Sequence, residues 1–332
     1  MRVWVPYADV IPDLPETLTV DVYDGTGEVP ASIADVEYYV TPYTFDRGPL
    51  ELMARMPRLR VVQTLTAGYE HVLPYLPDGV TLCNAGRLHD ASTAELAVAL
   101  MLASLRGIPD FVRGQDAGEW RHRTYRSLAD STVLIVGYGG IGSAIERRLA
   151  GFEVEVLRVA RRERDGVAPV SALPELLPRA DVVVICVPLN DETRHLVDAA
   201  FLARMRDGAL LVNVARGAVV DTDALVAEVA AGRLRAALDV TDPEPPPPGH
   251  PLWSLPGVLL TPHVGGDSTA FFPRARRLII DQLRRFAGGE PVHHVVHGPA
   301  QPYPAGSRSA TGGGLGHGVD SAGRQKGGGG DR

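Results

Sequence analysis

The stretch Val133–Gly142, reading Val-Leu-Ile-Val-Gly-Tyr-Gly-Gly-Ile-Gly, constrains this chain more than any other. An apolar, β-rich run from Thr132 to Val136 leads into Gly137, Gly139 and Gly142 at the spacing G-x-G-x-x-G, and a helical pattern follows from Ser143 to Ala150. The glycine spacing alone is a weak signal; a strand before it and a helix after it make it specific. In that setting Gly137 permits the tight turn, Gly139 lets a pyrophosphate approach the backbone, and Gly142 lets the helix pack close to the strand. The helix N-terminus, with Gly140 and Ile141, offers free N–H groups and a positive dipole end to phosphate. The segment therefore predicts a dinucleotide-binding loop.

The rest of the chain alternates in the same manner. Before the motif, strands are expected at Arg2–Val5, Thr19–Tyr23, Val36–Val40 and Leu59–Leu65, with a helical stretch from Pro49 to Met56. This small α/β unit ends near Thr81–Ala85. Ala91–Arg106 reads as a long helix, apolar nearly all round, and is expected to lie buried between two units. After Gly142, strands are expected at Glu153–Ala160, Asp181–Val187, Ala209–Val214, Ala236–Val240 and Val258–Thr261. Helical stretches at Ala199–Met205 and Thr222–Ala231 lie between them, and Ser268–Ala287 closes as an amphipathic helix. Continuous apolar strands alternating with helices predict an α/β fold with doubly wound parallel sheets covered on both faces. Beyond Pro299 the composition changes: residues 299–332 hold 11 glycines, with Tyr303, Leu315 and Val319 as the bulky apolar residues. Such a tail is expected to stay disordered.

With 332 residues the chain is long enough for two domains, and its 45% hydrophobic and 22% charged residues are ordinary for a soluble protein. The net charge of −7 argues against nucleic acid as a partner and gives no reason to expect a membrane surface. Cys83 and Cys186 sit in apolar runs and read as buried thiols of a reducing compartment. The opening Met1–Pro6 reads as a strand without the apolar core of a signal peptide, and no run spans a bilayer, so a cytoplasmic location is expected. No metal-ligand cluster is apparent.

Three segments fall just after strand ends, where ligands bind in such sheets: Asn213-Val-Ala-Arg-Gly217, Asp239-Val-Thr-Asp-Pro-Glu-Pro245 and Thr261-Pro-His-Val-Gly-Gly266. An arginine, a carboxylate and a histidine at successive strand ends can converge on one cleft. Arg216 can fork onto a carboxylate and polarise an adjacent carbonyl. His263 can exchange a hydroxyl proton while hydride moves to or from a nicotinamide, and Glu244 can hold the imidazole.

These signatures, N-x-x-R-G, D-V-x-x-x-E-P and T-P-H-x-G in order, resemble the D-isomer-specific 2-hydroxyacid dehydrogenase family over about residues 55 to 290. The resemblance implies two Rossmann-like domains: a discontinuous substrate domain of residues 1–98 with 283–298, and an inserted dinucleotide-binding domain of residues 99–282. It implies Arg216, Glu244 and His263 as the catalytic trio and Asp239 as an acid beside the nicotinamide amide. Pro188-Leu-Asn-Asp-Glu-Thr193 is similar to the family's P-L-T-x-x-T segment. Cofactor contacts are then expected at Val187, Pro188, Thr193, Val214, Ala215 and Gly265. Leu65-Thr-Ala-Gly68 matches the loop whose N–H groups take the substrate carboxylate, which assigns Ala67 and Gly68, with Arg216, to substrate. The family also implies a homodimer. Thr241 stands where an aromatic is usual, and Tyr69, Glu70 and His71 depart from the commoner residues after the loop glycine. His89 reads either as a hydrogen-bonded structural residue or as facing the cleft.

The residue at the end of the second strand selects the cofactor. An acidic residue there accepts from the ribose 2′-OH of NAD. Here the position is Ala160, followed by Arg161 and Arg162, which suits a 2′-phosphate and favours NADP over NAD unless Glu163 and Asp165 neutralise the pair. The expected activity is reduction of a small 2-oxo acid, glyoxylate or hydroxypyruvate first. The alternatives left open are a phosphite or formate dehydrogenase, the former disfavoured because Thr66-Ala67 offers no lysine, and a non-catalytic dinucleotide-sensing protein.

Overall fold

The computed structural model describes residues 1–44 and 46–299. The first unit runs through β1 (Arg2–Val5), β2 (Thr19–Val22), β3 (Val36–Val40), α1 (Gly48–Glu51), β4 (Val61–Gln63) and β5 (Thr81–Cys83). Two helices follow, α2 (Asp90–Leu105) and α3 (Ile108–Asp116). The second unit takes β6 (Thr132–Val136), α4 (Gly140–Leu149), β7 (Glu155–Ala160), β8 (Ala168–Pro169), α5 (Leu173–Leu176) and β9 (Val182–Ile185). It continues with α6 (Ala199–Arg204), β10 (Leu210–Asn213), α7 (Thr222–Ala230), β11 (Arg235–Leu238) and β12 (Val258–Leu260). The described chain closes with α8 (Phe271–Gly288) and β13 (Val295–His297).

The strands form two sheets, in the orders β13-β5-β4-β3-β1-β2 and β12-β11-β10-β9-β6-β7-β8. Every pair in the second sheet is parallel. The first sheet is parallel except for β13, which runs antiparallel to β5 and was not foreseen from the sequence. From β6 the second sheet winds outward to β7 and β8, then returns to β9 on the other side of β6. That reversal is the topological switch point, and dinucleotides bind above it. The fully buried strands β9 and β10 carry the continuous apolar runs that predicted them.

Two helices depart in detail from expectation. α2 does not lie between the units: Ala94, Ala97, Met101 and Leu105 join a core with Val133, Ile135, Ile145 and Val212, so it covers one face of the second sheet. Its alanines permit the close approach to α4. α4 itself starts at Gly140, three residues before the expected Ser143, because the motif glycines already adopt the helical turn. α8 returns to the first sheet, where Phe271, Ala275, Ile279, Leu283 and Phe286 share a core with Val3, Tyr38 and Val61. The expected domain limits at residues 98/99 and 282/283 therefore fall inside α2 and α8. The expected helix over Pro49–Met56 is split into α1 and a 3-10 turn at Leu52–Arg55. Among the described residues no single helix is long and apolar enough to cross a membrane. The Gly-rich tail lies outside the described residues from 300 onward.

Candidate active site

A cavity of about 570 Å³ opens where the ends of β10, β11 and β12 face loops of the first sheet. Arg216, Asp239, His263 and Gly265 line it from one side; Tyr43, Thr66, Ala67, His71 and His89 line it from the other. Ile141 of the glycine loop and Val214 also reach it.

His263 Nδ1 lies 2.6 Å from Glu244 Oε1. A carboxylate only accepts, so Nδ1–H donates and proton exchange with a substrate falls to Nε2. Burial by itself would raise the Glu244 pKa. The hydrogen bond from His263, the charge of that ring, the Thr241 N–H and the charge of Arg216 together hold it below the usual glutamate value. The ring is presented by a strained backbone: His263 has φ +54°, a left-handed conformation that costs a non-glycine residue on the order of 1 kcal/mol. The loop tolerates this because Asp239 pins it. The His263 N–H donates to the Asp239 carbonyl at 2.8 Å. The buried Asp239 carboxylate accepts from Thr261 Oγ1 at 2.6 Å and from the N–H groups of Val264 and Gly265 at 2.9 Å each. The residue expected beside the nicotinamide thus also holds the histidine loop in shape.

Arg216 is placed by the turn that follows β10. Asn213, buried at the strand end, accepts from Ala215 N–H and donates to the Arg216 carbonyl, both at 3.0 Å. Gly217 allows the turn to pass against the β11 end, for a Cβ there would stand 1.9 Å from the Thr241 carbonyl oxygen. The guanidinium reaches across to the first sheet and lies over Gly68, where a Cβ would stand 1.8 Å from Arg216 Nη2. The loop beneath is rigidly tied. Thr66 Oγ1 bonds Thr64 Oγ1 and the Gly68 carbonyl, each at 2.6 Å, and Asn84 Nδ2 donates to the Ala67 carbonyl at 2.8 Å. Among the described residues nothing accepts from the Ala67 or Gly68 N–H. Two such N–H groups beside a guanidinium have the chemistry to receive a carboxylate.

The glycine loop is shaped for a phosphate. Gly137, at φ +107°, passes so near β9 that a Cβ would meet the Cys186 carbonyl at 2.6 Å, and a Cβ on Gly142 would meet the Gly137 oxygen at 2.4 Å. At Gly139 nothing lies within 4 Å, which leaves the approach to the α4 N-terminus open. Gly140 is faced by the Asp90 carboxylate, 2.4 Å from its Cβ position, and Arg87 Nε pairs with that carboxylate at 2.8 Å. Past Ala160, the end of β7, Arg161 and Arg162 are exposed and form no ion pair among the described residues, with Glu163 and Asp165 included. Val187 follows β9, opposite Gly137, while Ala215 is buried in the Arg216 turn. The Thr193 hydroxyl donates to the Pro188 carbonyl at 2.6 Å and closes its own turn.

The comparisons bear on the same segments. Residues 98–265 match the family described as D-isomer specific 2-hydroxyacid dehydrogenase, NAD binding domain. A glyoxylate reductase from Pyrococcus horikoshii is 32% identical over 299 residues, covering 83% of this chain and 89% of that one. The chain belongs to the D-isomer-specific 2-hydroxyacid dehydrogenase family. As a member it is an NAD(P)-dependent oxidoreductase of 2-hydroxy and 2-oxo acids. A family member from Xanthobacter autotrophicus, solved with NADPH and MES, matches at 32% identity with a TM-score of 0.74, covering 89% of this chain and 97% of that one. An NADPH-dependent glyoxylate/hydroxypyruvate reductase from Sinorhizobium meliloti, solved with NADP and malonate, matches at 27% identity and a TM-score of 0.74, covering 92% and 99%.

Several residues of this dehydrogenase site carry no sequence signal. Tyr43 and Asp267 bond across the cavity wall at 2.8 Å although 224 positions apart. Tyr138, the variable residue of the glycine motif, is flanked by Arg158 and Arg164, their guanidinium carbons 5.8 and 5.6 Å from its ring. His89 combines both of its expected readings, since Nε2 bonds the Leu65 carbonyl at 2.8 Å while the ring lines the cavity.

Proposed function

We propose that this dehydrogenase reduces small 2-oxo acids to D-2-hydroxy acids with NADPH. The observation that carries the reading is the carboxylate-bonded imidazole of His263 in one cavity with Arg216 and Ala67, beside Ala67 and Gly68 N–H groups for which no acceptor stands among the described residues. Gly137, Gly139, Gly140 and Gly142 form the cradle that suits a pyrophosphate, and the exposed Arg161 and Arg162 beside Ala160, without an ion pair among the described residues, suit a 2′-phosphate. Bound there, the nicotinamide supplies the hydride. Arg216 and the loop N–H groups hold the substrate carboxylate and so fix its neighbouring keto carbon in the cavity. His263, in its protonated form, gives the Nε2 proton to the keto oxygen, and Glu244 stabilises the charged ring before that transfer. The same groups run the oxidation in reverse, with His263 accepting the hydroxyl proton.

The relatives named glyoxylate reductase and the neighbours solved with NADP or NADPH support both halves of this reading. We also assign the first sheet, with α8, to substrate binding, the second sheet, with α2, to the dinucleotide, and the active form to a homodimer. The test is a set of initial rates on glyoxylate, hydroxypyruvate and pyruvate, each with NADPH and NADH. Turnover with NADPH preferred is the expected result. A preference for NADH would make Arg161 and Arg162 plain surface charges, and tight dinucleotide binding without any turnover would overturn the enzymatic reading.

A further inference from the structure

The phosphate cradle keeps a carboxylate at its edge. Asp90, the first residue of α2, faces Gly140, the first residue of α4. Its Oδ2 and Oδ1 lie 2.4 and 2.6 Å from the Gly140 Cβ position, so a side chain at 140 would push it away. The Asp90 side chain is only 14% exposed, and little solvent is left to screen its charge. No side chain caps α4, and among the described residues neither Asp90 oxygen accepts from an α4 N–H. The first N–H groups of the helix therefore stay open to phosphate. A pyrophosphate bound there meets a like charge at close range.

Arg87 removes that conflict. Its Nε donates at 2.8 Å to Asp90 Oδ2, the atom that stands nearest the Gly140 Cβ position. The shared oxygen fixes the guanidinium beside the helix start. The pairing uses Nε alone, and among the described residues no group accepts from Nη1 or Nη2. The Arg87 side chain is 68% exposed, and an ion pair so exposed on one side adds little to stability, so folding alone gives no reason for it. The approach is clear as well, since nothing lies within 4 Å of the Gly139 Cβ position.

Resting on the dinucleotide half of the reading above, we infer that Arg87 binds the cofactor: Asp90 holds its Nε, and its Nη groups donate to the pyrophosphate at the start of α4. The guanidinium cancels the Asp90 charge and adds charge-assisted hydrogen bonds of its own. NADPH and NADH carry the same pyrophosphate, so Arg87 serves both alike. That separates it from Arg161 and Arg162, whose assignment concerns the 2′-phosphate alone.

Equilibrium titration of the full chain with NADPH and with NADH, read by calorimetry, tests this without turnover. Arg87→Gln should melt as wild type does, raise both dissociation constants by roughly 10–100-fold and leave their ratio unchanged. Adenosine 2′-phosphate, which lacks the pyrophosphate, should bind the variant as it binds wild type. The double variant Arg87→Gln with Asp90→Asn should bind both dinucleotides more tightly than Arg87→Gln, because the carboxylate charge that then opposes phosphate is gone. Unchanged dinucleotide binding in Arg87→Gln overturns the inference and leaves the dinucleotide reading standing. An equal loss for adenosine 2′-phosphate also overturns it, since the effect then does not arise at the pyrophosphate. A double variant no tighter than the single one overturns it too, because Asp90 and Arg87 then do not act on phosphate through their charge. A wild-type protein that binds neither dinucleotide overturns the dinucleotide reading, and this inference falls with it.

Discussion

At the scale of single residues, two glycines separate function from stability. A Cβ on Gly68 meets the far end of Arg216, a flexible guanidinium that can swing aside, whereas a Cβ on Gly217 meets the Thr241 backbone, which cannot. Gly68→Ala should therefore fold with stability within about 1 kcal/mol of wild type and lose roughly 10²-fold in kcat/KM as Arg216 is displaced. Gly217→Ala should lower the thermal midpoint clearly, the expected penalty being about 1–3 kcal/mol. Steady-state kinetics beside thermal melts of the two variants distinguish these outcomes; equal melting losses would contradict the assignment. His263→Gln should cost about 10²–10⁴ in kcat with little change in substrate binding. Glu244 sets a pH limit. Its pKa is held below the usual glutamate value, so its carboxylate stays paired with His263 above that depressed value and is lost only as pH falls through it. Glu244 should thus contribute no loss of kcat/KM between pH 7 and about 4.3, the ordinary glutamate value. Glu244→Gln should lower kcat/KM at neutral pH about tenfold or more and abolish whatever acid limb remains below that value. A glutamate-dependent limb centred near pH 6 would refute the pairing.

At the scale of elements, legibility tracked burial and length. β9 and β10 are buried throughout and were read from unbroken apolar runs, and the strand–glycine–helix unit declared itself by its spacing. β13 was missed because three residues, Val-Val-His at a sheet edge, carry no periodicity, and its direction depends on how α8 returns. The interior polar network behind that return was also illegible. Gln282 of α8 is fully buried, donates to Gln63 Oε1 at 2.6 Å and to the His293 carbonyl at 2.9 Å, and accepts from the His293 N–H at 2.7 Å. Gln63, on β4, donates in turn to the carbonyls of Thr64 and Asn84 at 2.8 and 2.9 Å. A glutamine in an amphipathic helix reads as a solvent-facing residue, and nothing local says that it meets a second glutamine 219 positions away. Gln282→Leu strands the Gln63 oxygen and the His293 N–H in the core, each worth about 1–3 kcal/mol. Denaturant unfolding should show a loss of about 2–5 kcal/mol, and Gln63→Leu combined with it should cost less than the sum of the two single changes. Full additivity would mean that the two amides do not act as a unit.

At the scale of the whole molecule, the two-sheet plan was readable because β10, β11 and β12 lead in turn to Arg216, Asp239 and His263, and chemistry at successive strand ends implies one cleft. The opposite wall was not readable, since Tyr43, His89 and Asp267 come from three loops far apart in sequence and meet only when the two sheets are brought together. The surface adds a third level. Ile108, Phe111, Val112 and Trp120 are exposed on and after α3, and Trp120 is 95% exposed, far more than a large aromatic side chain ordinarily tolerates. The homodimer proposed above gives these side chains a partner. In a two-fold interface every residue counts twice, so burying Trp120 at about 1.5–3 kcal/mol per copy contributes about 3–6 kcal/mol to association. At 1.4 kcal/mol per decade, Trp120→Glu should weaken the dimer by at least about 10²-fold. Sedimentation of the wild type should give twice the 35.5 kDa chain mass, and the Trp120→Glu protein should shift toward the single-chain mass as it is diluted. The circular dichroism of the variant should match wild type, because Trp120 supports no core. A wild-type protein that sediments at the single-chain mass would refute the dimer, and a Trp120→Glu dimer as tight as wild type would move the interface away from this arm.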